Sequence, residues 1–296
     1  MIFSSCDMHT HTSCSDGELS PVEFVKFAHT YGVKYFSVTD HDTVDFYFNK
    51  DALQLAKQYS MEYITGCEFV CRVGKHPIEI LGYGLDIVAA KKYLDKHGVP
   101  EEKMQAMRVK HGSKIFKKLG YKVVFAEENK RDPVDVMYEA VLAQESLKTK
   151  LLKEEPGMLV SSGKFLRLGL NNPKCSMFIS PKGYYPSYKK MIRLIQKQFH
   201  GVAVLAHPYH YASCMDEIMQ KCVKAHIDGI ECYHYTVDSE EKNERLVDFA
   251  KQHGLLVTGG SDFHTRSDVQ QKREKNMLTI PNTIFFNMQQ KLNKKS

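Results

Sequence analysis

Asp7-Met8-His9-Thr10-His11-Thr12, followed at once by Ser15-Asp16-Gly17, is where this sequence first commits to a chemistry. On a β-strand, residues i and i+2 project from one face. His9 and His11 would therefore present two imidazoles side by side, close enough for one metal ion to bridge. Imidazole offers a neutral ring nitrogen near pH 7, as ligation requires. The pair alone is a weak signal, because a strand with one surface face reads the same way. The sequence on either side has to supply the rest of the site.

Downstream, short apolar runs alternate with helical patterns. Ser20-Pro21-Val22-Glu23 predicts a helix start, with Ser20 as N-cap, Pro21 in the first turn and Glu23 closing a capping box. The helix runs to Tyr31 and ends at Gly32. Buried strands are expected at Tyr35–Thr39, Tyr63–Val70, Ile78–Gly84, Val202–Ala206, Gly229–Tyr233 and Leu255–Gly259. Helices are expected at 51–59, at 187–199, through Ile218 and Val223, and at 239–252. Strands separated by helices imply parallel pairing. Residues 89–172 have a different texture, rich in Lys and Glu, with helical spacing at Met104, Met107, Ile115 and Leu119. They read as a mainly helical insertion whose charges form a solvated face, capping one end of the main fold. The tail after Lys272 reads as basic and peripheral, fraying at Lys294-Lys295-Ser296.

Composition sets broad limits. The chain has 296 residues, 43% hydrophobic and 26% charged, with no Trp and a formal net charge of +6. That is ordinary globular composition with room for a large core. The modest positive charge suits anionic substrates without demonstrating nucleic-acid binding. The eight cysteines form no C-x-x-C pair and are scattered through apolar stretches, which favours a reducing, cytoplasmic setting. No apolar run reaches the ~20 residues of a membrane span, and Met1-Ile2-Phe3-Ser4 lacks the basic region of an export signal.

One regularity unites the polar residues. Strand after strand ends in His or Asp: His9 and His11, Asp40-His41, His207, His234, Asp262 and His264. In parallel α/β folds those edges meet on one rim, where chemistry is done. Glu68 lies inside an apolar strand, where an unpaired carboxylate is costly. A metal or a bonded Arg would offset that cost. Asp262 and His264 repeat the i, i+2 spacing of the first pair. Two such pairs plus Glu68 favour a polynuclear site over a single zinc. Imidazole and carboxylate donors without thiolate suit Zn, Mn or Fe(II).

At this point the chain resembles the polymerase and histidinol phosphatase (PHP) family. The matching segments are His9-Thr10-His11, Ser15-Asp16-Gly17, Val38-Thr39-Asp40-His41-Asp42, Gly66-Cys67-Glu68, Ile80-Leu81-Gly82-Tyr83, Leu205-Ala206-His207-Pro208 and Ser261-Asp262-Phe263-His264. The resemblance implies a distorted (β/α)7 TIM-like barrel, at 1–88 and 173–296, with up to three metals at its C-terminal rim. It implies that His9, His11, Glu68 and Asp262 hold one ion. Glu68 would bridge to a second, shared with His207 and a residue of the 78–82 strand. Asp16, His41 and His264 would hold a third. In the subgroup with a helical insertion, which acts on nucleotide phosphates or short nucleic-acid ends, a His usually occupies the place of Glu79. Glu79 is favoured here over His76, because a shift of three along a strand reverses the face. The Gly-Arg-Pro-His segment of that subgroup is not found, which leaves substrate choice open.

Clustered divalent ions give hydroxide at neutral pH and clamp the oxygens of an in-line displacement. The expected function is metal-dependent hydrolysis of a small phosphate ester, a nucleotide mono- or bisphosphate first of all. His234 is a candidate acid or substrate contact. Lys164 and Arg167 are candidate phosphate donors, with Arg193 a weaker one, and Tyr184, Tyr185 or Tyr209 could stack on a base. Rival readings are a histidinol-phosphate phosphatase, a 5′-to-3′ exonuclease on short oligonucleotides, and a non-catalytic metal-binding module. Metal analysis with a chromogenic phosphate ester separates the last from the others.

Overall fold

A computed structural model describes residues 5–125, 131–267 and 279–295. The chain divides into two compact units. The first comprises residues 1–71, 78–98 and 187–296, and the second residues 72–77 and 99–186.

The first unit carries most of the strands. In chain order they are β1 (Cys6–Thr10), β2 (Tyr35–Val38), β3 (Glu62–Tyr63), β4 (Gly66–Val73), β5 (His76–Tyr83), β6 (Val202–Leu205), β7 (Gly229–Tyr233) and β8 (Leu256–Gly259). β1, β2 and β3 form a parallel three-stranded sheet. β4 to β8 form a second sheet in that order, with β6, β7 and β8 mutually parallel. Two isolated parallel bridges continue the pairing past the strand ends, Thr10 with Phe263 and His41 with Glu68. Helix α1 (Pro21–Thr30) starts as the sequence predicts: Ser20 and Glu23 complete the capping box, each satisfying a donor at the helix start. α2 is Lys50–Gln58, capped by Asn49. α3 (Ile87–His97) is capped by Asp86, whose side chain accepts from Val88 and Ala89.

The second unit is mainly helical, with α4 (Glu101–Leu119), α5 (Pro133–Leu142), α6 (Glu145–Glu154) and α7 (Ser162–Phe165), the last running on into an irregular helix Leu166–Leu170. These elements share their own core, in which Met104, Phe116, Met137, Val141, Leu151 and Phe165 are buried. Back in the first unit are α8 (Tyr188–Arg193), α9 (Met215–Lys224), α10 (Glu240–Gln252) and α11 (Thr283–Asn293).

Three expectations change. First, β5 runs antiparallel to β6. β4 and β5 are neighbours joined through Gly74, whose φ of +63° suits a tight reversal. No helix intervenes, so β5 comes back the other way. Second, the division falls at 98/99 and 186/187. α3 stays with the first unit because Tyr93 packs edge-on against Phe199, 5.6 Å between centroids. Cys175, Met177 and Ile179 join the core of the second. Third, the end of the chain is not peripheral. Ile284, Phe285 and Met288 of α11 are buried with Cys6, Met8 and Tyr83. Lys295 donates to the Gly201 carbonyl at 2.8 Å rather than fraying. Lys272, Met1–Ser4 and Ser296 lie outside the described residues.

All eight cysteines are free thiols, seven of them buried. Among the described residues no helix is long and apolar enough to cross a membrane.

Candidate metal centre

His9 and His11 sit at and just past the end of β1 and are fully buried. Their strand continues beyond its regular end: His11 N–H donates to the Phe263 carbonyl at 2.9 Å, and Asp262 N–H to the His9 carbonyl at 2.8 Å. That pairing sets Asp262 against both imidazoles. It needs Gly260, because a Cβ there would lie 2.2 Å from the His9 Cβ and 2.3 Å from its backbone nitrogen. Asp262 and His207 both adopt positive φ, +52° and +27°. Non-glycine residues held there cost of order 1–3 kcal/mol and tend to mark functional positions.

Nine side chains singled out from the sequence gather into three groups of potential ligands: His11, Asp16, His41 and His264; His9, His11, Glu68 and Asp262; Glu68, Glu79 and His207. Glu68 connects them. Its Oε2 lies 3.1 Å from His9 Nε2, 3.3 Å from His11 Nε2 and 3.4 Å from His41 Nδ1. Its Oε1 faces the other way, 3.0 Å from His207 Nε2. Glu79 reaches the same His207 nitrogen at 3.3 Å. Glu79 belongs to one of the three groups and His76 to none. The reversal of β5 brings Glu79, in the first half of that strand, beside His207. Asp16 Oδ2 lies 3.3 Å from His264 Nε2 and 3.7 Å from His41 Nε2. Its loop is held by Asp40, which accepts from Thr12 N–H at 2.6 Å and from the Thr12 and Ser15 hydroxyls, each at 2.7 Å.

The donor set fits cations. Nδ1 of His11 and of His207 is buried without a hydrogen-bond partner, and His11 Nε2 and His41 Nδ1 meet Glu68 only outside hydrogen-bond geometry. Such atoms are costly unless something binds them. The electrostatics of the chain alone agree. Burial would depress His9 and His11, but Glu68, Glu231 and Asp262 outweigh it. His9 is raised well above its ordinary value, and His11 to about 10. Burial would raise Glu68 and Asp262, yet the imidazoles hold both carboxyls well below the usual range. Protons on nitrogen occupy the positions where a positive ion fits.

Two features escape the sequence reading. Glu231, fully buried on β7, accepts from His9 Nδ1 at 2.9 Å through one oxygen and from the His207 backbone N–H at 2.7 Å through the other. An ionised carboxylate only accepts, so Nδ1 carries the proton and Nε2 faces the cluster. The signal was available, since Glu231 interrupts an apolar strand as Glu68 does. The second feature is the pair His210 and Tyr235. His210 Nε2 lies 3.1 Å from the Tyr235 hydroxyl, and its ring centroid lies 4.4 Å from that of His207.

His234 is beside the cluster but in none of the three groups. Its Nε2 lies 3.3 Å from Asp262 Oδ2, and its Nδ1 lies 2.8 Å from the Thr236 hydroxyl. Burial pushes its pKa down to about 4. Lys164 and Arg167 are exposed residues of the second unit, and Arg193 is on α8.

Residues 7–257 match the PHP domain family. The chain belongs to that family. PHP membership makes it a metal-dependent phosphoesterase, an enzyme rather than a non-catalytic module. This PHP chain is 26% identical over 261 residues to a 5′-3′ exoribonuclease of Haemophilus influenzae, covering 87% of this chain and 89% of the relative. It is 22% identical over 265 residues to a 3′,5′-nucleoside bisphosphate phosphatase of Chromobacterium violaceum, covering 88% and 87%. A solved structure from Chromobacterium violaceum, described as an amidohydrolase with bound sulfate and no metal, superposes with a TM-score of 0.66 at 20% identity, covering 99% of this chain and 97% of that one. At that identity the likeness speaks for the fold: a mixed α/β architecture of the PHP kind.

Proposed function

We propose that this enzyme hydrolyses a ribonucleotide phosphoester, on a small nucleotide phosphate or at the end of a short RNA, with two or three divalent cations held by nine side chains. The observation that carries the reading is the two-sided Glu68. One of its oxygens faces His9, His11 and His41, and the other faces His207. A buried carboxylate so placed would offer one oxygen to each of two ions. Support for the nucleotide comes from the two relatives, whose names specify RNA and a nucleoside bisphosphate. We also propose that the two sheets close into a distorted (β/α)7 barrel, joined through the Thr10–Phe263 and His41–Glu68 bridges, with the second unit as its helical insertion.

When bound, Zn, Mn or Fe(II) would supply hydroxide near neutral pH and offset charge on the phosphoryl group. His9, His11, Glu68 and Asp262 would hold one ion, Glu68, Glu79 and His207 a second, and Asp16, His41 and His264 a third. The chain's own contribution is placement. His9, His11, Glu68, His207 and Asp262 are buried, whereas Asp16 is 55% exposed, Glu79 31%, His41 28% and His264 25%. Substrate phosphate therefore meets the cluster where Asp16, His41, His264 and Glu79 reach the surface, and water is kept from His9. With both nitrogens engaged and its pKa near 4, His234 is neutral at pH 7. We assign it to orienting Asp262 rather than to delivering a proton. Lys164 and Arg167 are kept as candidate phosphate contacts.

The test is reconstitution with each metal and assay against nucleoside 3′,5′-bisphosphates, 5′-phosphorylated short RNAs and a chromogenic phosphate ester. Turnover of a nucleotide substrate is expected. His9→Ala should lose both activity and metal while keeping its circular dichroism. Equal turnover by native and His9→Ala protein removes the proposed site.

A further inference from the structure

Charge is divided unequally between the two units. The second holds 18 Lys and Arg against 10 Asp and Glu, and the remainder of the chain 23 against 25. Much of the excess is on α4. Lys103, Lys110, Lys114 and Lys117 recur at intervals of seven, four and three, which on a helix is one stripe. At 1.5 Å per residue the stripe is about 21 Å long. All four side chains are exposed, and none makes an ion pair with a described residue. Four lysines elsewhere, Lys91, Lys148, Lys221 and Lys242, each pair with a carboxylate three or four residues away. Arg108, on the same helix but off the stripe, pairs with Asp132.

The edge of the stripe is aromatic. The His111 ring meets the half-buried Tyr184 ring edge-on, 6.3 Å between centroids. Burial, with Lys114 and Lys110 nearby, lowers the His111 pKa, so the imidazole adds an uncharged ring rather than a further charge. Ammonium groups in a line beside π-faces are what a single-stranded nucleic acid engages. The cations track phosphates, and bases stack in a sequence-tolerant way.

We propose that the α4 lysine stripe, with His111 and Tyr184, is a docking surface for single-stranded nucleic acid on the second unit, separate from the metal ligands. The choice of polyanion rests on the ribonucleotide reading of the active site; the existence of the surface does not.

The two can be tested apart. Binding of a fluorescein-labelled single-stranded RNA is followed by anisotropy in EDTA, where hydrolysis plays no part. A full-chain variant carrying K103Q, K110Q, K114Q and K117Q is compared with native protein across a salt series. Single-strand binding loses about 0.7 in the slope of log K against log salt for each phosphate contact removed. The native slope should therefore be about −3 or steeper, and the variant should lose about 3 from it. Turnover of a chromogenic phosphate ester should be unchanged in the variant, which shows that it is folded. Tyr184→Ala should weaken RNA binding about tenfold or more at constant slope. No native binding in EDTA, or an unchanged slope in the quadruple variant, overturns the surface. Equal competition by inorganic polyphosphate of matched charge, with Tyr184→Ala silent, overturns the nucleic-acid assignment. If RNA binds as expected but no phosphoester is turned over, the catalytic reading fails and the docking surface stands.

Discussion

Glu231 shows how a residue that touches no proposed cation can still govern the centre. Its carboxylate fixes the His9 tautomer and ties the β6 end through the His207 backbone. Glu231→Gln keeps the shape but places an amide where two acceptors are needed. Loss of such an outer partner typically costs 10–100-fold in metal affinity. We expect that loss in calorimetric titration, with kcat falling in parallel at limiting metal and recovering at saturating metal. Native-like affinity in the variant would sink the role. A second expectation concerns protons. The raised pKa of His11, about 10 against its ordinary 6.5, means that a cation must displace a proton at neutral pH. Affinity should therefore rise with pH through this interval. Without metal the sign is opposite for stability. A raised folded pKa stabilises fully below 6.5, and that contribution is lost as pH rises through about 10. The melting temperature of chelated protein should fall between pH 7 and 10. Flat profiles in both experiments would count against the buried imidazole cluster. The sequence made Glu68 legible because a carboxylate in an apolar strand is expensive. The same argument applied to Glu231, but no i, i+2 partner drew attention to it.

At the scale of elements, local signals were read well where they are stereochemical. The capping box of α1 and the polar ends of β1, β6 and β8 follow from residue chemistry and strand period. Direction was harder. A barrel of parallel strands implies a parallel β5, but Val73-Gly74-Lys75 reads as a turn with no room for a crossover, and a strand without a crossover must reverse. α11 was missed because its apolar residues lie in a Lys- and Gln-rich tail, and only a partner surface shows which face is buried. One close approach now becomes testable. Gly260 allows the end of β8 to pass against His9, and a methyl group there would meet backbone as well as side chain. Gly260→Ala should destabilise the protein by about 1–3 kcal/mol, in the manner of overpacking. It should also part Asp262 from His9, so metal affinity falls as well. A Gly260→Ala protein that melts and binds metal like the native one would mean that the strands do not approach this closely.

For the whole molecule, the decisive feature is that two cores serve one chain. All nine proposed ligands lie in the first unit, whereas Met104, Phe116, Met137 and their neighbours build a separate core in the second. A ligand stabilises only the structure that binds it, by RT ln(1 + [L]/Kd), or about 4 kcal/mol at a thousandfold excess over Kd. Calorimetry of the native chain should then resolve two components. Chelation should lower the component that contains the metal ligands and leave the other in place. The quadruple lysine variant should respond to chelation as native protein does, because its substitutions lie outside the metal-bearing unit. A single transition that moves as a whole on chelation would show instead that the units unfold as one cooperative block. The second core would then be an extension of the first.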